Sequence, residues 1–222
     1  MLNHELRPGS QNCQNQTPEF IADCMHIVDS LGLSGQTLLR MDSGNDAAEN
    51  FAHFGKSYFI IKRNLRKESP EQWLATARRV GQLQSSRDGK NVYTGFVDHL
   101  RPGGRDSELE PLPVAFEVIE RLTDYDGNYL LKPELEVNTY WTNLPCGHAE
   151  EIIALYHDHG TSEQFHSELK SDLNVERLPS GKFAVNKVVL LCAMIAFNLL
   201  RCIGQEVIER AGLAPVKVKV QR

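Results

Sequence analysis

A row of polar side chains near the carboxyl-terminal third of the sequence has the spacing of one helix face. Tyr156, His159, Glu163 and Lys170 follow one another at intervals of three, four and seven residues. In a continuous α-helix, side chains at these intervals project from nearly the same face. A carboxylate oxygen in such a row is a hard ligand that suits Mg²⁺. If Gly160 interrupts the helix, only Glu163 and Lys170 stay in line.

A second carboxylate follows a short β-compatible segment. Residues 36–41 form this segment, and Asp42 comes at its end, directly before Ser43 and Gly44. On its own, such a sequence is typical of an Asx turn or a helix cap. It also resembles the motif of retroviral-type aspartic proteases. Those proteins are small all-β dimers, whereas this sequence predicts long helices.

Histidines around the glutamate leave a zinc site as an alternative. His157, His159, Glu163 and His166 could converge on one ion, because imidazoles four or seven positions apart on a helix lie near each other. The sequence contains no HExxH spacing, which is the usual pattern of helical zinc hydrolases. A zinc-dependent hydrolase is therefore the lesser alternative.

These residues together resemble the signature of bacterial insertion-sequence transposases of the DDE type. The family places tyrosine, arginine, glutamate and lysine at the spacing of Tyr156, His159, Glu163 and Lys170, so the one departure is His159. Longer segments agree with the same family. They are residues 156–168 and 172–182 around the glutamate helix, 39–44 at the second acidic motif, 58–64 after it, and 6–10 before the first crossover helix.

The resemblance implies both chemistry and partners. Asp42 and Glu163 would be catalytic acids that bind two Mg²⁺ ions, which clamp the attacking and leaving oxygens of a phosphodiester. Lys170 would hold a DNA phosphate near the transposon end, supported by Tyr156 and His159. The intact family acts on the terminal inverted repeats and on target DNA, as a homodimer on DNA in the bacterial cytoplasm.

A short block before the glutamate helix also resembles the family. Residues 141–144 read Trp-Thr-Asn-Leu. Asn143 would orient a ligand or DNA, and we include Trp141 among the predicted DNA-binding residues. A tryptophan in such a position more often belongs to the core.

The first catalytic acid of the family has no counterpart in these residues. It belongs to a strand that precedes the first crossover helix, and here only 16 residues precede that helix, with Glu5 as their sole acid. Loss of that central strand would expose unpaired backbone on its neighbours. We therefore expect an amino-terminally truncated chain that is inactive alone. The alternative is a non-catalytic fragment that binds DNA or inhibits a full-length transposase.

The elements that must position these residues alternate between helix and strand. Helical spacing of apolar residues predicts a helix over residues 17–31, and two short strands follow over 36–41 and 58–61. A helix toward Phe54 between these strands indicates parallel pairing. Further helices are predicted near residues 73–80, 148–173 and 184–211, and turns of hairpins near 87–89, 102–104 and 125–127.

We therefore predict an incomplete ribonuclease H-like α/β fold with a β-rich insertion. Residues 1–65 would form the first part of the core, 66–147 the insertion, and 148–222 the glutamate helix and the carboxyl-terminal helices. The last helix is apolar nearly all round at its centre, so we expect other elements to cover it. Its apolar run over residues 188–197 is too short to span a bilayer.

Composition limits the class of protein without naming it. The formal net charge is -5, so any contact with nucleic acid must come from local basic clusters, such as those over residues 62–67, 78–87 and 217–222. Such clusters are also common on solvated faces. The five cysteines form no CxxC pair, which favours a reducing cytosolic setting.

Overall fold

A six-stranded mixed sheet organises the larger of the two units of this mixed α/β protein. The computed structural model describes residues 1–12, 14–33, 35–99, 111–158, 164, 165 and 167–212. One unit comprises Ser10–His159, and the other joins Met1–Gly9 to Gly160–Arg222. The division at residues 65 and 147 that the sequence suggests stays a prediction.

The strand order of the sheet is β1-β2-β6-β5-β4-β3. The first pair, β1 with β2, is parallel, and the other neighbours are antiparallel. The parallel pairing predicted from the sequence is therefore confirmed. The strands are β1 (Leu38–Met41), β2 (Tyr58–Lys62), β3 (Gln82–Arg87), β4 (Lys90–His99), β5 (Leu112–Thr123) and β6 (Tyr129–Thr142).

Helices flank this sheet and form most of the smaller unit. They are α1 (Thr17–Ser30), α2 (Ala48–Phe51), α3 (Pro70–Val80), α4 (Ala149–His157) and α5 (Phe183–Arg210), with a 3-10 turn at Ser43–Asn45 and a π-helical turn at Glu168–Asp172. The helix expected between the first two strands is thus a 3-10 turn and a single α-turn. The turn expected near residues 102–104 lies outside the described residues.

Local sequence explains where the main helices begin and end. Pro18 lies in the first turn of α1, and Gly32 follows its end with a φ of 70°, a conformation that glycine adopts at little cost. At α3, the Ser69 side chain accepts from the Gln72 amide, and the Gln72 side chain accepts from the Ser69 amide. This reciprocal capping box satisfies two amides that the helix leaves unpaired.

The two faces of the sheet bury separate hydrophobic clusters. Phe59 and Ile61 of β2 point into a cluster with α1 and α3, whereas Ile60 points into a cluster with α4. This alternation is the two-residue period of a strand. Strand β5 contributes to both clusters through Phe116 on one face and Ala115 on the other. The core of the larger unit is therefore a sheet covered on both sides.

Two glycines make room for the Phe116 ring. A Cβ at Gly95 would lie 2.7 Å from Phe116 Cζ, and a Cβ at Gly81 would lie 3.2 Å from Phe116 Cε2. The Trp73 ring packs against the same phenyl ring, with 5.9 Å between centroids. Close packing of α3 on the sheet thus depends on these two positions having no side chain.

The smaller unit consists mainly of α5 and the extended amino-terminal segment. The Met1 ammonium donates to Asn198 Oδ1 at 2.8 Å, and Asn198 Nδ2 donates back to the Met1 carbonyl at 2.9 Å. His4 Nδ1 lies 3.1 Å from Met194 Sδ. These contacts fix the first residues of the chain along one side of the helix.

The expectation that other elements cover α5 is wrong for the described residues. Only Asn186 and Phe197 of this helix are buried, while many large apolar side chains are exposed. Composition shows how apolar a helix is, but it does not show how many of its faces have a partner. An 18-residue window of α5 has a mean hydropathy of 2.0 and is 11% buried, so its length and composition would allow a membrane span. Helices of this kind also occur in soluble proteins, and the structure is compatible with one.

Candidate functional site

Asp42 lies where β1 ends, and it is exposed. Its Oδ1 accepts from the Gly44 amide at 3.0 Å and from Asn45 Nδ2 at 2.8 Å, which caps the 3-10 turn. Its Oδ2 accepts no hydrogen bond from the residues that the structure describes. Asp42 is therefore the turn residue that its sequence predicts, and it also presents one carboxylate oxygen for another ligand.

Tyr156 lies within electrostatic range of Asp42, although the two are far apart in the sequence. Tyr156 is half-buried in the last turn of α4, and its ring packs 4.7 Å from the ring of buried Tyr140. Burial raises the pKa of Tyr156, and the negative charge of Asp42 raises it further. The structure thus brings together two of the residues that the sequence singled out.

Arg40 holds these two residues in place. Its Nη1 donates to the carbonyl of Leu155 at 2.8 Å, which links β1 to the last turn of α4. A cation at the carboxyl end of a helix also interacts favourably with the helix dipole. Sequence reasoning missed Arg40, and its only signal there is one charged residue in an otherwise apolar strand.

One edge of β1 has no neighbouring strand. In the described part of the chain β1 pairs only with β2, and its four residues are half-buried. The candidate site therefore lies at the end of an edge strand, where backbone donors and acceptors are open to a further strand.

The predicted role of Trp141 in direct DNA contact needs correction. Trp141 is 1% exposed, and its Nε1 donates to Oδ1 of buried Asp46 at 2.9 Å. The Arg63 guanidinium lies 4.6 Å from its ring centroid, and the Phe51 ring meets it edge-on. A side chain enclosed in this way cannot touch a macromolecule, so Trp141 acts through the residues that it packs against.

The amide of Asn143 is engaged with the backbone of the neighbouring segment. Its Oδ1 accepts from the Phe59 amide at 2.8 Å, and its Nδ2 donates to the Ser57 carbonyl at 3.1 Å. Both bonds fix the start of β2 against the end of β6. Asn143 therefore positions strand backbone, and both ends of its side-chain amide are used in doing so.

Part of the basic cluster at residues 62–67 is structural. The Arg63 side chain is 4% exposed and pairs with Glu68 at 2.7 Å, and Glu68 also accepts from Trp73 Nε1 at 2.8 Å. Arg66 Nη2 donates to the Asp46 carbonyl at 2.7 Å. Sequence reasoning missed Asp46 and Glu68, because charge patterning alone does not reveal a buried partner.

The remaining predicted site residues lie in another part of the chain. Glu163, His159 and His166 are outside the described residues, as is the basic segment over 217–222. Lys170 is exposed in the π-helical turn. Helix α4 ends at His157, so Tyr156 and Lys170 belong to separate helical segments.

No group of three metal-binding side chains is found in the described residues. Of the histidine, cysteine, aspartate and glutamate side chains there, none form a cluster of three or more that could hold an ion. Among the described residues, Asp42 thus stands without a cluster of further metal-binding side chains around it.

Comparison of the sequence with known proteins identifies no family. No protein-family model matches this sequence, and no curated protein gives a significant match. The function must accordingly be argued from Asp42, Tyr156 and the elements that hold them.

Proposed function

We propose that this chain is part of the catalytic core of a DDE-type transposase with a ribonuclease H-like fold. The observation that carries the proposal is the placement of Asp42 directly after β1, with the helical turn of Tyr156 bonded to the same strand through Arg40 and Leu155. In α/β sheets, ligands bind outside the carboxyl ends of parallel strands. The second acid and the tyrosine of the transposase signature would meet at this position.

The carboxylate of Asp42 fits a role as a ligand of Mg²⁺. It is exposed, and only one of its oxygens is used by the 3-10 turn. Hard carboxylate oxygens are what Mg²⁺ prefers, and in this family a pair of ions activates water and stabilises the leaving oxygen. Glu163 is the other expected ligand, and its pairing with Asp42 stays a prediction because Glu163 lies outside the described residues.

The contacts to DNA are proposed for fewer residues than the sequence suggested. Lys170 is exposed and can reach a phosphate, and His159 remains its predicted companion. Tyr156 is half-buried, so it would support the site through its position beside Asp42. Asn143 and Trp141 would position β2 and Asp46. The DNA would be an insertion-sequence terminal repeat or its target, and the setting would be the bacterial cytoplasm.

The open edge of β1 supports the proposal that residues 1–222 alone do not cut DNA. In the family fold the strand with the first acid lies beside this one, and β1 has no neighbour on that side in the described residues. The same open edge favours a second candidate function, in which the chain binds DNA or a complete transposase without catalysis. The two functions differ in nuclease activity.

Metal binding at Asp42 can be tested by paramagnetic NMR. We expect Mn²⁺, added in place of Mg²⁺, to broaden the amide resonances of Gly44 and Tyr156. Asp42→Asn should abolish this broadening. Asp124→Asn is the matched control, because Asp124 also lies in an exposed turn and should leave the effect unchanged. Absence of broadening in the unmodified protein would contradict the proposal.

Catalysis can be tested on labelled duplex DNA that carries the inverted repeats flanking the gene. With Mg²⁺ we expect binding without cleavage by residues 1–222. Robust cleavage that Glu163→Gln abolishes would show that the chain is active alone. A stoichiometric zinc ion in the purified protein, lost on His157→Ala, would instead favour the zinc hydrolase.

A further inference from the structure

Two basic side chains share the sheet face of Asp42. Arg40 of β1 and Lys62 of β2 are both half-buried. Leu38 and Ile60, which lie two residues before them on the same strands, pack in the cluster under α4. Because side chains alternate along a strand, Arg40 and Lys62 point to this same face.

The strand register sets both basic residues around Asp42. The pairing of the parallel strands runs to Met41 and Ile61, so the next level holds Asp42 and Lys62. The backbone of Asp42 is extended, which keeps its side chain on the face of Arg40, two residues earlier. Neighbouring strands lie about 5 Å apart. Asp42 thus has one cation along its own strand and one across from it.

Both cations have donors that the fold does not use. Arg40 Nη1 donates to the Leu155 carbonyl at 2.8 Å, and a guanidinium carries five N–H donors. Lys62 forms no ion pair or side-chain hydrogen bond with any residue that the structure describes. Arg63, which points to the opposite face, is instead paired with Glu68. Of these two neighbours in the sequence, the core uses Arg63 and leaves Lys62 at the candidate site.

The charges make the candidate site positive without a metal ion. Arg40 and Lys62 carry two positive charges at neutral pH, and Asp42 carries one negative charge. A phosphate of the DNA backbone carries one negative charge. A guanidinium can bind two phosphate oxygens at once, and an ammonium group binds phosphate as a point charge. One backbone phosphate would therefore balance the charge of the three side chains.

We infer that Arg40 and Lys62 bind one phosphate of the DNA backbone beside Asp42, and that they do so without a divalent metal ion. The inference rests on the proposed function, because it names the residues that hold the substrate at that site. Asp42 repels the phosphate until a cation neutralises its carboxylate. DNA binding and metal binding at this site are therefore separable, and each favours the other.

Fluorescence anisotropy in EDTA tests the contact, with a labelled duplex that carries the inverted repeats flanking the gene. We expect Lys62→Gln and Arg40→Gln each to raise the dissociation constant at least about fivefold. Each should also reduce the slope of log Kd against log salt concentration by about one, which is the effect of one lost phosphate contact. Arg40→Lys keeps the charge but loses the fork, so it should weaken binding and leave the slope unchanged.

The matched control is Lys56→Gln. Lys56 is an exposed lysine just before β2, at the opposite end of that strand from Lys62. Its replacement should change neither the dissociation constant nor the salt slope. Asp42→Asn should lower the dissociation constant in EDTA at least about twofold, because the carboxylate no longer repels the phosphate. Circular dichroism should show the same fold in every variant.

The contact is wrong if Lys62→Gln binds DNA with the dissociation constant and salt slope of the unmodified protein. An equal loss in Lys56→Gln would indicate a general effect of charge, and no binding of DNA in EDTA would show that the phosphate is not held without metal. Each of these results would overturn the inference. They are distinguishable from failure of the proposed function, because the Mn²⁺ broadening at Asp42 is measured without DNA.

Discussion

Arg40 Nη1 donates a hydrogen bond of 2.8 Å to the carbonyl of Leu155. This bond joins β1, which Asp42 directly follows, to the helical turn that carries Tyr156. The bond keeps the Asp42 carboxylate near the Tyr156 phenol. It does so without a direct hydrogen bond between the two side chains. The pKa of Tyr156 therefore reports experimentally on the placement of Asp42.

We expect Asp42→Asn to lower the pKa of Tyr156. The pKa is raised first by burial and then by the charge of Asp42, so removal of the charge should leave it raised by burial alone. NMR with tyrosine labelled at Cζ, assigned with Tyr156→Phe, would follow the titration. Asp124→Asn should leave the pKa of Tyr156 unchanged. An unaltered pKa in Asp42→Asn would show that the two residues are not neighbours.

The same pKa shift predicts the sign of a change in alkaline stability. Tyr156 has a raised pKa in the folded state, so folding favours its protonated form. This contribution is complete below the unfolded pKa of about 10 and is lost as the pH rises through the folded pKa. Asp42→Asn should reduce this loss, as urea unfolding at pH 8 to 11 would measure.

Arg63→Met should destabilise the larger unit by about 2 kcal/mol. The change removes a charge-assisted hydrogen bond to Glu68, whose side chain is 30% exposed, and takes the guanidinium away from the Trp141 ring. Arg63→Lys keeps the charge but loses the planar fork, so we expect an intermediate loss. Urea denaturation would measure both free energies of unfolding.

The matched control is Arg121→Met. Arg121 pairs with Glu136 at 3.1 Å, but both side chains are well exposed, at 39% and 52%. An exposed pair of this kind contributes less than about 1 kcal/mol. Equal losses in Arg63→Met and Arg121→Met would show that burial of Arg63 does not matter.

Gly95→Ala should destabilise the protein by about 1 to 3 kcal/mol, because the new methyl would overlap the Phe116 ring. The Cβ would lie 2.7 Å from Phe116 Cζ and 3.0 Å from Cε1. Phe116→Leu in the same chain should relieve the overlap, so that the double change costs less than the sum of the single ones. Thermal unfolding would give the three values.

Gly147→Ala is the control for Gly95→Ala, since a Cβ at Gly147 would have no heavy atom within 4 Å. We expect it to change stability by less than about 0.5 kcal/mol, as is usual for surface positions. A loss as large as that of Gly95→Ala would mean that overlap with the phenyl ring is not the source of the cost.

Local patterns in the sequence predicted the elements well. The helical spacing of Ile21, Ile27 and Val28 predicts α1, and the short apolar runs before Asp42 and Arg63 predict the parallel pair of strands. These signals depend on residues within one turn or one strand of each other. They require no knowledge of distant partners.

Distant partners explain what the sequence did not show. The sequence left open whether Trp141 belongs to the core and whether Arg63 binds DNA, and only the fold reveals that their partners are Asp46 and Glu68. The cluster near Asp42 could be proposed only from the spacing of a family signature. The exposure of α5 was missed for the same reason. The spacing of apolar residues shows that a helix is apolar, but it does not show which of its faces other elements cover.

The pairing of β2 with β6 also determines the order in which the larger unit can fold. The parallel pair β1 and β2 is short. The other neighbour of β2 is β6, whose paired residues lie far along the chain, near Thr142. Pairings of such long sequence separation form late, because loop closure must precede them. The hairpins of β4, β5 and β6 can assemble first from local contacts. During synthesis, Asp42 would therefore reach its final position only after the hairpins that follow it have formed.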